Sequence, residues 1–218
     1  MIDLNGYIDH TILKPTATNE QIVNLCNEAH QNHFASVCVP PHYVEKAVKT
    51  LSKLKSEVKV ATVVGFPFGY DFISAKLETI KRAIDLGASE IDAVININAV
   101  KNKNWDYIED EIDSLTTVTK LKYNKTLKLI FETAYLNEEE IQRLCNLCIK
   151  HNVDFAKTST GYAPEGAKIE TVKLMKSVLG DKVKIKASGG IKDRTFAEQL
   201  IEAGASRLGT SSGIQLIK

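Results

Sequence analysis

Two lysines of the chain each stand at the end of an apolar run and precede small or hydroxyl residues. Lys157 follows Asp154-Phe155-Ala156 and precedes Thr158-Ser159-Thr160-Gly161-Tyr162, while Lys186 follows Lys184-Ile185 and precedes Ala187-Ser188-Gly189-Gly190. A lysine is rarely buried without a partner, and both burial and a second nearby cation lower the pKa of its amine. We therefore expect the two lysines to depress each other's pKa, which favours a neutral, nucleophilic amine near about pH 7.

A purely structural role is the alternative for these lysines. Each could pair with a carboxylate such as Asp92 or Glu132 and hold neighbouring strands together. For one lysine alone this is as good an interpretation as catalysis, but two lysines at strand ends in tracts of small residues favour catalysis. Asp92 is compatible with both, since a carboxylate beside a protonated amine is also a proton relay.

Two glycine- and serine-rich segments predict an anion site. Ser188-Gly189-Gly190 and Gly209-Thr210-Ser211-Ser212-Gly213 each follow an apolar run, and a helix is expected over residues 211–217. Glycines let backbone N–H groups approach a ligand, and the start of a helix directs free amides toward it. Ordinary loop glycines and a capping serine are the alternative for either segment alone. Together they predict a phosphate site.

The elements that position these groups repeat in a regular way along the chain. Apolar runs alternate with amphipathic segments, and strands are expected near residues 7–10, 34–39, 58–64, 91–95, 127–132, 153–156, 183–187 and 207–209. Strand starts about 25 to 35 residues apart suit parallel strands with crossover helices. The sequence therefore predicts an α/β fold, a (β/α)8 TIM barrel formed as one domain by residues 1–218. An open doubly wound sheet would call for a glycine-rich turn after the first strand, which Asp9-His10-Thr11-Ile12-Leu13 lacks.

The barrel interpretation puts catalytic groups at the carboxyl ends of strands. The polar residues there are Asp9, Asp92, Glu132, Lys157 and Lys186. The chain has five histidines, His10, His30, His33, His42 and His151. They are scattered, so neither a metal site nor a cofactor is expected, and lysine chemistry takes the place of a metal.

Composition narrows the classes of partner and compartment. With 28 basic and 27 acidic residues the formal charge is +1, which gives no broad attraction to nucleic acid or to an anionic membrane. The cysteines Cys26, Cys38, Cys145 and Cys148 lie in apolar patterns, which predicts buried, reduced thiols. No targeting segment and no long apolar span is evident, so we expect a cytoplasmic protein. A homodimer is an option, but no surface stripe indicates an interface.

Several motifs together resemble the deoxyribose-phosphate aldolase family, class I aldolases of the (β/α)8 type. They are Asp9-His10-Thr11-Ile12-Leu13-Lys14-Pro15, Val63-Val64-Gly65-Phe66-Pro67, Glu90-Ile91-Asp92, Phe155-Ala156-Lys157-Thr158-Ser159-Thr160-Gly161, Lys184-Ile185-Lys186-Ala187-Ser188-Gly189-Gly190 and Gly209-Thr210-Ser211-Ser212. The resemblance runs from residue 9 to about residue 213. It implies reversible cleavage of 2-deoxy-D-ribose 5-phosphate to acetaldehyde and D-glyceraldehyde 3-phosphate, without a cofactor.

The resemblance also implies roles for individual residues. Lys157 matches the Schiff-base lysine, and Lys186 and Asp92 match the pair that tunes its pKa and moves protons. The implied substrate-binding residues are Gly161, Gly189, Gly190, Ser211 and Ser212 for the phosphate and Asp9, Thr11 and Thr158 for the rest of the substrate.

The chain departs from some members of this family at two places. Tyr162 stands where some members carry a lysine, so a phosphate-side charge is expected from elsewhere. The chain stops at Ile217-Lys218 without the terminal tyrosine of some members, so water or Asp92 is expected to protonate the enamine. The alternatives are another Schiff-base barrel aldolase acting on a longer sugar phosphate, and a phosphate-ligand-binding barrel without catalysis.

Overall fold

Eight parallel strands of the described chain close into a barrel in the order of the sequence. The computed structural model describes residues 2–218, and in it each strand pairs with its sequence neighbours while β1 also pairs with β8. The strands are β1 (Ile8–Thr11), β2 (Ser36–Val39), β3 (Lys59–Val64), β4 (Glu90–Val94), β5 (Thr126–Ile130), β6 (Phe155–Lys157), β7 (Lys184–Ser188) and β8 (Arg207–Thr210). The predicted TIM barrel is confirmed, and the open doubly wound sheet is wrong.

The helices surround the barrel and bury one face each against the outer side of the strands. The helices of residues 2–218 are α1 (Asn19–Gln31), α2 (Val44–Lys53), α3 (Ile73–Asp85), α4 (Ile97–Lys101), α5 (Trp105–Thr116), α6 (Glu138–Lys150), α7 (Ile169–Leu179), α8 (Arg194–Glu202) and α9 (Gly213–Leu216). A capping box begins α1, where the Thr18 hydroxyl accepts from the Gln21 N–H and the Gln21 side chain accepts from the Thr18 N–H.

The last helix differs from its prediction. A helix was expected over residues 211–217, but α9 is one turn long and begins at Gly213. The Ser212 N–H donates to the Thr210 hydroxyl instead of pointing freely into the barrel mouth. Because a four-residue helix carries little aligned dipole, α9 adds little to an anion site, which must rely on its loops.

The core consists of the layer between strands and helices together with part of the barrel interior. Cys145 and Cys148 lie on the buried face of α6, which confirms their interpretation as core residues, and all four cysteines are buried with free thiols. Across residues 2–218, none of the helices combines the length and the apolar character that crossing a bilayer requires.

Candidate active site

The two lysines singled out by the sequence meet on one carboxylate inside the barrel. Lys157 on β6 and Lys186 on β7 are register partners, so their side chains point to the same side of the sheet. Both amines donate to Oδ2 of Asp92 on β4, Lys157 from 2.8 Å and Lys186 from 2.7 Å. All three side chains are buried. The structure thus brings together the three residues for which the sequence predicts catalysis.

A third lysine, which sequence reasoning missed, occupies the other oxygen of this carboxylate. Lys128, in the middle of β5, donates to Asp92 Oδ1 at 2.8 Å. Its amine also lies 2.5 Å from Glu90 and 3.6 Å from Asp9, and the side chain is fully buried. Asp92 is therefore saturated with cations on both oxygens.

Asp9 lies below the mouth of the barrel as a second bridging carboxylate. Its Oδ2 is 2.5 Å from the Lys186 amine, and its Oδ1 accepts from the Arg207 guanidinium at 2.6 Å. Arg207 also reaches Glu90 at 3.4 Å. Together with Asp92 and Lys128 these groups form a buried network, and Lys128, Glu90 and Arg207 are the members that the sequence analysis did not identify.

The pKa shifts separate the two candidate lysines. Burial, reinforced by the charge of Lys186, lowers the pKa of the Lys157 amine, although Asp92 opposes the shift. Burial also acts to lower the pKa of Lys186, but Asp9 and Asp92 outweigh it and raise that pKa above its ordinary value. The expectation that the two lysines lower each other's pKa is therefore wrong for Lys186, whose amine stays protonated. Lys157 is the amine that loses its proton more readily.

The different shifts follow from the number of carboxylates around each amine. Lys186 contacts two of them, Asp9 and Asp92. Within residues 2–218, the one carboxylate that the Lys157 amine contacts is Asp92, whose Oδ2 it shares with Lys186. Burial raises the pKa of Asp92, but the surrounding lysines outweigh burial and hold that pKa well below its usual range. Asp92 is therefore ionised at rest and can accept a hydrogen bond from an amine in either protonation state.

Lys157 also borders the open space at the barrel mouth. A cavity of about 660 Å³ opens beside it, between the loops that follow β1, β6, β7 and β8. Of the residues that the sequence predicts as substrate contacts, Thr11, Gly161, Gly189, Gly190 and Ser211 line this cavity. Lys186 and Asp92 do not line it, so the Lys157 amine lies between the cavity and the charged network.

Three further residues predicted as substrate contacts do not line the cavity. The Asp9 carboxylate is buried beneath it and held by Lys186 and Arg207. The Thr158 hydroxyl joins β6 to β7, since it accepts from the Ser188 N–H at 3.1 Å. Ser212 lies behind Ser211, with its N–H bound to Thr210. In this structure these three residues support the lining rather than form it.

Glycines shape the wall of the cavity on the side of β6 and β7. Gly161 and Gly189 have φ values of 88° and 86°, which L side chains rarely adopt. A Cβ on Gly189 would lie 2.9 Å from the Cα of Gly166 and 3.4 Å from that of Gly161, so the two loops touch backbone to backbone. A Cβ on Gly190 would meet open space. The predicted anion site is thus a cleft whose wall is main chain.

Glu132 supports this wall and does not pair with a lysine. It follows β5 with a left-handed backbone, φ 57°, and its carboxylate accepts hydrogen bonds from both the N–H and the hydroxyl of Thr160. Burial raises the pKa of this carboxyl above its ordinary value, although the bonds from Thr160 act in the opposite direction. The suggestion that Glu132 serves as a lysine counter-ion is therefore wrong. It holds the loop that begins at Thr160.

Two exposed lysines, Lys14 and Lys192, line the cavity away from Lys157. Tyr162 lies beside them, and its hydroxyl donates to the Leu13 carbonyl at 2.8 Å, which ties the loop after β6 to the loop after β1. The cavity therefore combines main-chain amides, hydroxyls and two exposed cations, which suits a phosphate ester.

The histidines take other roles. The His10 ring lies 2.7 Å from Glu28, and the His151 ring lies between Glu109 and Asp113. In the part of the chain that the structure describes, no three His, Cys, Asp or Glu side chains gather in a manner suited to a metal ion.

Comparisons with known proteins match nearly the whole chain. The model of the DeoC/LacD family aldolases matches residues 5–216. The deoxyribose-phosphate aldolase of Treponema denticola is 46% identical over 216 residues, which cover 99% of both chains. That of Thermococcus gammatolerans is 45% identical over 100% of this chain and 96% of its own. A solved structure described as a putative deoxyribose-phosphate aldolase from Coccidioides immitis superposes with a TM-score of 0.94 at 38% identity, over 99% of this chain and 84% of that one.

Proposed function

The chain belongs to the DeoC/LacD family of aldolases, and from this premise we propose how its residues carry out the deoxyribose-phosphate aldolase reaction. The substrate is 2-deoxy-D-ribose 5-phosphate, and the products are acetaldehyde and D-glyceraldehyde 3-phosphate. Lys157 is the nucleophile that forms the Schiff base. The observation that carries this assignment is that Lys157 combines a lowered pKa with a place on the cavity wall, whereas Lys186 has neither.

The first half of the reaction builds an electron sink on Lys157. Its neutral amine attacks the C1 aldehyde of the open-chain sugar and forms a carbinolamine, which loses water to give a protonated imine. The proton that leaves the nitrogen and the proton that joins the departing hydroxyl pass through Asp92, whose Oδ2 contacts both amines. Lys186 remains charged throughout and keeps the neighbouring nitrogen from retaining its proton.

The second half cleaves the carbon chain. The C3 hydroxyl gives its proton, through water, to Asp92, and the C3–O bond becomes a carbonyl. The electron pair of the C2–C3 bond moves into a C1–C2 double bond, and the pair of the C1–N double bond moves onto nitrogen. The resulting enamine is neutral at nitrogen, so no free carbanion forms. D-glyceraldehyde 3-phosphate leaves. Protonation of C2 by water or by an acid relayed through Asp92 then restores the imine, and hydrolysis releases acetaldehyde and the neutral amine.

The cleft on the far side of the cavity holds the phosphate group. The glycine-walled loops after β6 and β7 offer backbone amides, Ser211 lines the same cavity, and Lys14 and Lys192 supply positive charge that Tyr162 does not. Binding there fixes the distance between the phosphate and the carbon that reacts with Lys157, which lowers the entropic cost of reaching the transition state.

Borohydride trapping tests the assignment directly. The protein is incubated with acetaldehyde, reduced, and digested, and mass spectrometry locates the lysine that carries the ethyl adduct. We expect the adduct on Lys157 and its loss in Lys157→Ala. An adduct on Lys186, or labelling no greater than that of surface lysines, would refute the role of Lys157 and favour a barrel that binds a phosphate ligand without catalysis.

The compartment and the assembly state are part of the proposal. The four buried free thiols are compatible with the reducing conditions of the cytoplasm, where we place the protein. The homodimer stays a prediction, which light scattering coupled to size-exclusion chromatography checks.

A further inference from the structure

The mouth of the barrel is filled unevenly, and Phe66 packs over the filled half. Phe66 follows β3 and packs on two groups of apolar residues that point into the barrel, one including Cys38 and Val63, the other Val94 and Ile130. These residues belong to β2, β3, β4 and β5. The open cavity lies over the other four strands, between the loops after β1, β6, β7 and β8. Phe66 therefore closes one half of the mouth and leaves the other half to the substrate.

The closed half adjoins the reactive amine. Ile130, beneath Phe66, is the register partner of Lys157, and Val63, also beneath it, is the register partner of Asp92. The Phe66 ring also meets the Tyr162 ring edge to face, with centroids 5.3 Å apart, and Tyr162 lines the cavity. Phe66 thus packs both on the strand neighbour of Lys157 and on a residue of the cavity wall.

A buried ion pair outside the active site holds the segment that carries Phe66. The Lys76 amine, on α3, lies 2.5 Å from Glu111 on α5 and donates to the carbonyl of Gly69 at 2.6 Å and to that of Val94 at 2.8 Å. Both charged side chains are fully buried. Lys76 therefore ties the end of the loop after β3 directly to the end of β4.

The fit around this pair leaves the loop little freedom. A Cβ on Gly65 would lie 2.7 Å from Cε of Lys76, and a Cβ on Gly69 would lie 1.8 Å from the Ile95 carbonyl oxygen. The loop is packed main chain against main chain at one end and against the lysine stem at the other. The reaction mechanism does not use this pair, whose lysine contacts both ends of the segment that carries Phe66.

We propose that Phe66, held in place by Lys76 and Glu111, is the specificity-determining residue that limits the size of the aldehyde that forms the enamine on Lys157. The inference rests on the proposed Schiff base at Lys157. Acetaldehyde adds one methyl carbon beyond the imine carbon, and under this proposal that carbon fits between the Lys157 amine and the Phe66 ring. A longer donor such as propanal or butanal places its extra carbons against the Phe66 ring.

The test compares donors in the synthetic direction. D-glyceraldehyde 3-phosphate serves as the acceptor, and kcat/KM is measured for acetaldehyde, propanal and butanal in the unmodified protein, Phe66→Ala and Phe66→Leu. One methylene in an apolar pocket changes kcat/KM by about 10- to 200-fold, so we expect Phe66→Ala to raise the propanal-to-acetaldehyde ratio at least about fivefold. Phe66→Leu, which removes less volume and guards against misfolding of the alanine variant, should shift the ratio in the same direction by a smaller factor.

A neighbouring aromatic residue provides the matched control. Phe68 belongs to the same loop but is 51% exposed and stacks on Tyr70. Phe68→Ala should leave the donor ratio unchanged. A ratio that stays within about twofold of the original in both Phe66 variants, or that moves equally in Phe68→Ala, overturns the inference.

The role of the ion pair is tested through Phe66. Lys76→Met combined with Glu111→Leu removes both charges and so avoids leaving one of them buried alone. We expect this double variant to shift the donor ratio in the same direction as Phe66→Ala. The triple variant, which also carries Phe66→Ala, should show the same ratio as Phe66→Ala alone, because the pair acts through the phenylalanine. Full additivity, or an unchanged donor ratio in a folded variant, would show that the pair does not position Phe66.

Borohydride trapping separates this inference from the proposed function. If acetaldehyde forms no adduct on Lys157 of the unmodified protein, the Schiff-base assignment fails and the donor inference fails with it. If the adduct forms on Lys157 but the donor ratio does not respond to Phe66, the Schiff base stands and only the size-limiting role is refuted.

Discussion

Replacing Lys186 with methionine should raise the pKa of Lys157 and move imine formation to higher pH. Lys186 is charged because Asp9 and Asp92 outweigh the effect of its burial. Its charge is one of the causes that lower the pKa of Lys157. Methionine keeps much of the side-chain volume, so the variant removes the charge with a small change in packing. Asp9 then loses one of its cations, which favours protonation of Lys157 further.

The size of the shift follows from the shared oxygen. The two amines lie 2.8 Å and 2.7 Å from Oδ2 of Asp92, so their separation is at most about 5.5 Å. At an effective dielectric constant of about 20, two unit charges at that distance repel by about 3 kcal/mol. Losing this repulsion stabilises the protonated form of Lys157, so its pKa rises and the neutral fraction becomes smaller at any pH below that pKa.

The assay measures the initial rate of adduct formation on Lys157 as a function of pH. Acetaldehyde and cyanoborohydride are added at a series of pH values, and mass spectrometry quantifies the ethylated Lys157 peptide. The midpoint of the profile, rather than the rate, is the readout, because Lys186 also holds Asp92, the proposed proton relay, and its loss lowers the rate at every pH. Circular dichroism at each pH verifies that the variant is folded.

Lys184→Met is the matched control, since Lys184 lies on the same strand but its exposed amine contacts the Phe155 ring and not the network. We expect its midpoint to equal that of the unmodified protein. A midpoint that does not rise in folded Lys186→Met, or that rises equally in Lys184→Met, would refute the view that Lys186 tunes the nucleophile.

Two further predictions concern the network around these lysines. A Cβ on Gly209 would lie 3.0 Å from Cε of Lys186, so Gly209→Ala should displace that amine and lower kcat/KM by about 10- to 100-fold, while Gly6→Ala, where a Cβ meets nothing within 4 Å, should not. Burial raises the pKa of Asp9, but Lys186 and two other cations outweigh it and hold the pKa far below the ordinary 3.8. Because a carboxyl with a lower pKa in the folded state stabilises that state above its ordinary pKa, the free energy of unfolding should decrease as the pH falls below 3.8. Urea unfolding at a series of pH values measures this decrease, which should be smaller in Asp9→Asn; an equal decrease in that variant would contradict the assignment.

The barrel could be predicted from the sequence because its signal is periodic. Apolar runs at regular intervals, each followed by an amphipathic segment, correspond to β1 through β8 with small errors at the ends. The error at α9 has a local cause. The hydroxyl of Thr210 binds the Ser212 N–H, and the chain enters helical geometry at Gly213, later than the glycine and serine pattern indicated.

The site could be predicted only in part, because the strands of a parallel sheet are buried on both faces and their sequences do not show which side chains point inward. Lys157, Lys186 and Asp92 stood out as charged residues within or at the end of apolar runs. Lys128 lies in the same kind of run, but strands buried on both faces do not alternate, so the sequence does not show which charges point inward. Glu90 and Arg207 are the first residues of β4 and β8, a position where a charged residue is typical of a solvated strand end. Their inward orientation is a property of the closed barrel.

The difference between the two candidate catalytic lysines, Lys157 and Lys186, likewise depends on the register of the strands. In the sequence, Lys157 and Lys186 have nearly identical surroundings. In the barrel, Lys186 lies between Asp9 on β1 and Asp92 on β4, while Lys157 shares one oxygen of Asp92. The carboxylates come from positions 177 and 94 residues away from Lys186, and 65 residues away from Lys157. A further inward carboxylate beside Lys157 would therefore raise the pKa of the Lys157 amine and keep it protonated. Which lysine can act as the proposed nucleophile thus depends on the carboxylates of the neighbouring strands as much as on the lysine itself.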